Sequence, residues 1–299
     1  MTRAERYRGC LLGLACGDAV GTTVEFRARG SFAPVTDMVG GGPFGLAAGE
    51  WTDDTSMALC LAASLVHCKG FDAVDQMNRY CNWRSVGYMS STGSCFDIGL
   101  TVSGALGRYL ATGDAFAGDP DPRTAGNGAL MRLAPVPMLW AASAEATWHQ
   151  AGESTRTTHG AQEAIDCSRL FALQLRAALG GASKAEVLAT QPLEPLCDKV
   201  AALARGAYAD KPAARIKGSG YCVESLEAAL WCFAHTASFE DAVLAATNLG
   251  DDADTTAAIC GQLAGAFYGE AAIPAHWRDK LVMREEIAQM ADQLLALAG

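Results

Sequence analysis

A chain of 299 residues is long enough to bury a large core, as one big domain or as two ordinary ones. Half of the residues are hydrophobic and only 19% are charged, which excludes a disordered polymer. A formal net charge of −10, with no run of five basic residues, argues against a nucleic-acid or anionic-membrane surface. No apolar stretch approaches the ~20 residues that a membrane span needs.

The eleven cysteines are scattered and odd in number, and no CxxC pair occurs, so neither a zinc site nor a redox motif is expected. Many lie in apolar helical runs, where cysteine behaves as a small hydrophobe. That pattern fits a reducing cytosol, and a cytoplasmic protein is expected. Arg3, Arg6 and Arg8 precede an apolar stretch over residues 9–17, but Asp18 and Glu25 end it early, so no signal peptide is expected.

Apolar residues recur at helical period, and alternating β-branched runs are nearly absent. The predicted helices are 3–19, 54–68, 72–83, 98–111, 127–140, 144–155, 162–179, 184–190, 195–208, 221–235, 239–248, 255–268 and 279–297. The first carries Gly9, Gly13 and Gly17, and the late 255–268 helix carries Gly261 and Gly265. Glycine costs about 1 kcal/mol against alanine inside a helix, so this spacing reads as close backbone approach and not as chemistry. Glu25 follows the first helix between Val24 and Phe26. A lone glutamate in a loop is usually solvated, but this one leads into a Gly/Pro-rich segment over 30–49. That segment is too long for a plain connector and reads as a mobile gate.

Thr52-Asp53-Asp54-Thr55 then opens the second predicted helix. Asp97-Ile98-Gly99 opens the helix at 98, where an N-cap aspartate is the plainer reading. Gly126-Asn127-Gly128-Ala129-Leu130-Met131-Arg132 offers backbone N–H groups at a helix start, suited to an anionic or ribose-bearing ligand, with a simple turn and cap as the alternative. Of five histidines only His159, in Thr157-Thr158-His159-Gly160, has a motif-like setting. Ser64, Cys60 and His67 share a helix but lack an acid at a useful spacing. GxSxG, P-loop and GxGxxG patterns are all absent.

Asp251-Asp252-Ala253-Asp254-Thr255-Thr256 opens the late helix, about 200 positions after the first acidic cluster. Asp and Thr at a helix start are ordinary caps. Capping needs one acceptor and perhaps one first-turn carboxylate, whereas Asp53, Asp54, Asp251, Asp252 and Asp254 are five acids in two turns. If the two starts face each other, those carboxylates repel unless a cation lies between them. Hard oxygen donors of this kind select Mg²⁺ or Mn²⁺ over zinc or copper. Because both ends of the chain would have to meet, one domain over residues 1–299 is expected.

These stretches, with Gly9-Cys10-Leu11-Leu12-Gly13-Leu14-Ala15-Cys16-Gly17-Asp18-Ala19-Val20-Gly21 and Glu25-Phe26, occur in the order found in ADP-ribosylglycohydrolases. The chain resembles that family over residues 9–269, and most of all its dinitrogenase reductase-activating branch. The two aspartate motifs together carry the resemblance. It implies an all-α, single compact multi-helix domain with a cleft holding two Mg²⁺ or Mn²⁺ ions. The implied ligands are Thr52, Asp53, Asp54, Asp252, Asp254 and Thr255. Glu25 corresponds to a gating glutamate and Asp97 to an aspartate that opens the ribose ring or orients the substrate. Gly126, Asn127, Gly128, Met131 and His159 fall where ribose and diphosphate are held. Ser219 and Tyr221, in Gly218-Ser219-Gly220-Tyr221, align with a stretch that holds phosphate and stacks adenine.

The implied activity is removal of ADP-ribose from an ADP-ribosylated protein, with an arginine linkage preferred and a serine or other O-linkage as the alternative. A catalytically silent binding relative predicts broken metal motifs, yet every aspartate position is occupied. A phosphohydrolase sharing the metals would release AMP instead of ADP-ribose. Two departures stand out. Asp251 replaces a frequent glycine and is expected beyond the ligands, altering ion preference, and Gly160 follows His159 where other turns are common.

Overall fold

Helix α1 (Arg3–Gly21) begins where Thr2 and Glu5 cap each other reciprocally, and it is buried on every side from Gly9 to Gly21. A helix that is small or apolar all round belongs in the middle of a protein. The computed structural model describes residues 1–298. The other helices among them are α2 (Asp53–Cys68), α3 (Ala73–Val86), α4 (Leu100–Thr112), α5 (Pro135–Leu139), α6 (Ala144–Arg156), α7 (Gln162–Leu179), α8 (Lys184–Leu188), α9 (Asp198–Ala204), α10 (Cys222–His235), α11 (Phe239–Thr247), α12 (Ala253–Tyr268), α13 (Ala275–Lys280) and α14 (Arg284–Ala298). The fold is an all-α single domain, as expected. No described helix is long and apolar enough to cross a membrane.

Helices α1 and α12 form the axis, antiparallel and pressed backbone to backbone. A Cβ on Gly9 would lie 2.3 Å from the Gly265 carbonyl oxygen, one on Gly13 2.4 Å from that of Gly261, and one on Gly17 2.2 Å from that of Ala257. The small residues are therefore read correctly as packing. The register continues to Gly21, whose Cβ would fall 2.4 Å from the Cα of Asp254. Close packing thus delivers the second acidic cluster to the C-terminal end of α1. Around this axis α2, α7, α10, α11 and α14 bury apolar faces in the main core. A smaller cluster joins the far side of α2 to α3 and α4 through Met57, Met77, Tyr80, Trp83, Val102 and Met131.

Two predicted helices are corrected. Residues 127–134 turn without forming α-helix, and only α5 remains of the span 127–140. Pro135 and Pro137 have no N–H to donate to residues four earlier. The carbonyl of Met131 left over by Pro135 accepts Gln262 Nε2 at 2.8 Å instead, and that of Leu130 does so at 3.1 Å. The Ala134 N–H, which an α-helix would have sent to Leu130, donates to Gln262 Oε1 at 2.9 Å. One buried amide from α12 therefore replaces a turn of helix. Gln262→Met, of similar size but unable to serve these groups, is expected to lower unfolding free energy by about 3 kcal/mol. Equal urea midpoints for variant and wild type would refute that account. The predicted helix 279–297 is also interrupted, between α13 and α14, where Met283 takes a left-handed φ of 53°.

The Gly/Pro-rich segment reads as a mobile gate in the sequence, yet it is fastened along its length. Val35 and the Asn248 side chain exchange two hydrogen bonds. Asp37 accepts from Trp277 Nε1 at 2.6 Å and from Lys280 Nζ at 3.2 Å. Gly42 packs so closely on the Thr22 carbonyl that a Cβ there would sit 2.0 Å from its oxygen. Side chains from distant helices supply the ties, so local composition could not reveal them.

Candidate active site

Asp18, near the end of α1, does the capping that α2 lacks. Its Oδ1 accepts from the Thr52 amide and hydroxyl at 2.9 Å each, and its Oδ2 from the Thr55 amide at 3.0 Å and hydroxyl at 2.6 Å. Thr52 is the N-cap by position but makes no side-chain cap bond, and neither does Asp252 at the start of α12. The ordinary capping reading thus fails at both helices, and Asp53, Asp54, Asp252 and Asp254 are left for other work. The two helix starts face each other. The Thr255 hydroxyl donates to Asp54 Oδ1 at 3.2 Å, and the Thr52 hydroxyl lies 3.2 Å from Asp254 Oδ2.

A cavity of about 390 Å³ opens over this junction. Glu25, Asp53, Asp97, Asp252, Asp254 and Thr255 form its acidic wall, and Gly126, Asn127, Gly128, Met131 and His159 the facing one. No lysine or arginine is among its lining residues. Thr52 and Asp54 lie beneath, fully buried. One carboxylate oxygen each of Asp18, Asp54 and Asp254 lie within 4.8 Å of one another, and so do one each of Glu25, Asp97 and Asp254. Asp254 is common to both groups.

Burial pushes the Asp53, Asp54 and Asp254 carboxyls well above the usual range, and their acidic neighbours push them further. Burial and then Asp97 raise Glu25 to about 9, while burial followed by Asp18 and Asp252 raises Asp97 to about 7. Asp54 Oδ2, Asp254 Oδ1 and Glu25 Oε2 are buried with no hydrogen-bond partner among the described residues. Buried carboxylate oxygens that crowd together, unpaired and without a basic neighbour, are what a divalent cation offsets. The donor set therefore fits a metal site of hard oxygens.

The opposite wall is built from loop crossings. The Asn127 amide donates to the Gly220 carbonyl at 3.1 Å, and the Cys222 amide to that of Ala125 at 3.0 Å. Asn127 Nδ2 then spans to Asp252 Oδ2 at 2.7 Å and Ser225 Oγ at 3.2 Å, tying this wall to the acidic one. His159 is buried, with Nε2 facing Gly126 and Gly128. Its Nδ1 lies 2.8 Å from the Thr158 hydroxyl, which already accepts from Arg132 Nη2 at 2.6 Å. This contact fixes the ring orientation and leaves Nε2 facing the cleft. Burial and the nearby Arg132 pull this imidazole down to about 3, so it stays neutral. Gly160 is needed for close approach, since a Cβ there would lie 2.5 Å from the Gly118 carbonyl oxygen.

Four residues differ from the sequence reading. Asp97 caps nothing: Gly99 is the N-cap of α4, and Asp97 holds a left-handed φ of 60° that aims it into the cleft. Asp251 is exposed, takes a left-handed φ of 56° and does not line the cavity, so it is not among the buried acids of the site. Ser219 and Tyr221 stand outside the cavity lining: Ser219 donates to Glu224 Oε2 at 2.6 Å, and the Tyr221 hydroxyl donates to Glu163 Oε2 at 2.5 Å. Tyr221 lines a neighbouring concavity that shares Thr101, Gly126 and Gly220 with the main one.

Two positioning residues went unassigned in the sequence reading. Asp18 organises α2, and the buried Arg132 holds the Gly128 carbonyl at 2.8 Å, Thr158, and the Tyr80 ring at 4.9 Å. Each is the lone charge in an otherwise apolar helical or turn segment, which is the signal that marks a charge bound for the interior.

The sequence model described as ADP-ribosylglycohydrolase matches residues 1–299. The chain is 47% identical to an ADP-ribosylarginine hydrolase Tri1 of Pseudomonas putida, over 97% of this chain and 78% of that protein. It is 33% identical to the ADP-ribosyl-[dinitrogen reductase] glycohydrolase of Rhodospirillum rubrum, over 99% of this chain and 97% of that one. A solved structure described as an ADP-ribosylglycohydrolase-related protein complex superposes with a TM-score of 0.89 at 43% identity, covering 99% of each chain.

Proposed function

Because this chain belongs to the ADP-ribosylglycohydrolase family, we propose that it hydrolyses the C1″ glycosidic bond of arginine-linked ADP-ribose on a protein, using two Mg²⁺ or Mn²⁺ ions. The higher identity to an ADP-ribosylarginine hydrolase than to the dinitrogen reductase enzyme supports an arginine linkage outside the nitrogenase-regulating branch. One observation carries the reading: acids from positions 25, 53, 54 and 97 meet those from 252 and 254 around a single cavity whose buried carboxylate oxygens lack partners.

Thr52, Asp53, Asp54, Asp252, Asp254 and Thr255 would hold the ions, and Asp18 keeps their helix start in place. When bound, such a pair would supply Lewis-acid polarisation of ribose hydroxyls and would lower the pKa of an attacking water. The protein's own residues do the rest. Gly126, Asn127, Gly128 and Met131 would line the ribose and diphosphate side, where the neutral His159 presents its Nε2 to the substrate. Asp97 and Glu25, the acids of the cleft outside the ligand set, would manage proton transfer as the C1″ bond breaks through an oxocarbenium-like state. Tyr221 borders the neighbouring concavity that would receive the adenine end, whereas Ser219 lines neither cavity. Holding substrate and water in one rigid cleft supplies much of the acceleration. The whole span 1–299 acts as one domain, and eleven cysteines without a bridge support a cytoplasmic setting.

The test is to incubate arginine-ADP-ribosylated protein with this chain and Mg²⁺ or Mn²⁺, with and without EDTA, and weigh the products. ADP-ribose release that stops with EDTA is expected. AMP would replace the reading with a phosphohydrolase, and no turnover would leave a binding protein.

A further inference from the structure

We propose that Phe26, backed by Phe44 and Phe96, is the platform on which the guanidinium of the acceptor arginine, the leaving group of the reaction, is received. The inference rests on the arginine-linked substrate proposed above and adds the residues that select it. Phe26 lines the cleft next to Glu25, yet 67% of it is exposed. Its ring lies 6.4 Å from that of Phe44, edge to face, and Phe44 lies 5.1 Å from Phe96. The three rings come from the end of α1, the Gly-rich segment and the approach to α4. The chain therefore assembles this rim from three separate places.

Backbone geometry shows that the arrangement is imposed. Phe26 has a φ of 61° and Asp97 one of 60°, a region that side-chain-bearing residues rarely occupy. Such residues persist where their surroundings hold them, and they gather at ligand sites. Phe26 is held by its amide, which donates to the Asp251 carbonyl at 2.7 Å, while the Asp251 amide returns a bond to the Arg27 carbonyl at 2.8 Å. Each of the two proton-handling acids is joined directly to a ring of this set, Glu25 to Phe26 and Asp97 to Phe96. The rim and the reacting centre are thus fixed by the same short segments.

The lining of the cleft suits such an occupant. Its acids are taken up by the ions and by protons, and no lysine or arginine is among the lining residues to repel a guanidinium at its mouth. A guanidinium is planar and weakly hydrated, and it stacks on an aromatic face better than an ammonium does. Leu100, 92% exposed on the same lining, gives apolar surface to the arginine methylenes.

The experiment compares the wild-type chain with Phe26→Leu, Phe96→Leu and Phe26→Tyr in the presence of Mg²⁺, after melting curves establish that each is folded. Hydrolysis of arginine-linked ADP-ribose is followed, and binding of free ADP-ribose is measured by calorimetry. Loss of a cation–π contact predicts a KM raised about tenfold in Phe26→Leu, a smaller rise in Phe96→Leu, and recovery in Phe26→Tyr to within about twofold of wild type. The affinity for ADP-ribose, which has no guanidinium, is expected to hold. An unchanged KM in Phe26→Leu, or ADP-ribose affinity falling in step with it, would overturn the platform while leaving the hydrolase reading intact. No turnover by the wild type would sink the arginine reading and the platform together.

Discussion

Asp254→Asn is expected to lower turnover by at least about a thousandfold, the scale of losing metal-assisted charge stabilisation, while raising the melting temperature of the cation-free protein by roughly 3–6 °C. The opposite signs share one cause. Asp254 contributes an oxygen to both groups of crowded acids. Burial, then Glu25, Asp54, Asp252 and Asp97, disfavour its charge. An asparagine keeps the acceptor that faces the Thr52 hydroxyl, and it replaces the unpartnered Oδ1 with an N–H₂ able to donate to neighbouring carboxylates. The charge that destabilises the empty protein is the charge that holds the ions. ADP-ribose release and thermal melts in EDTA measure the two effects. Wild-type turnover would refute the ligand assignment, and a lower melting temperature in EDTA would refute the account of carboxylate crowding.

Acidity should act on the cation-free protein in the same direction. Glu25 at about 9 and Asp97 at about 7 bind protons in the fold that an unfolded carboxyl releases near 4. Between those limits the native state holds more protons than the unfolded one, so this stabilisation is full below about pH 4 and is lost progressively as pH rises toward about 9. Raising pH from 5 to 8.5 in EDTA is expected to lower the melting temperature by roughly 5–10 °C. Mg²⁺ or Mn²⁺ must displace those protons, so its stabilising shift grows over the same range. Calorimetric scans at several pH values, with EDTA and with each ion, measure both slopes. A melting temperature that rises with pH in EDTA, or a cation shift that is largest at pH 5, would contradict the buried-acid description.

Much of the architecture was open to inspection in the residues themselves. Helical periodicity marked nearly every helix, because an amphipathic or wholly apolar stretch has few other ways to bury its surface. The glycines at 9, 13, 17, 261 and 265 announced a backbone-to-backbone contact, since a helix keeps costly glycines mainly where nothing larger fits. Five acids at two helix starts exceeded what capping needs, and their density was the mark of the cleft. The family resemblance then grouped Glu25, Asp97, Asn127 and His159 with them.

Tertiary structure decided everything that depends on a partner far along the chain. That α2 is capped by Asp18, and not by its own threonine, follows from the register of α1 on α12. That residues 127–134 leave the helix is settled by Gln262, which serves the groups that Pro135 strands. That the Gly-rich segment is tied down is the work of Asn248, Trp277 and Lys280, which all lie in the last third of the chain. The left-handed turns at Phe26, Asp97 and Asp251 decide which acids enter the cleft and which ring stands over it. Short-range pattern reports where a side chain prefers to be; which hydrogen bonds and charges it meets there is set by contacts that form only when distant segments close on one another.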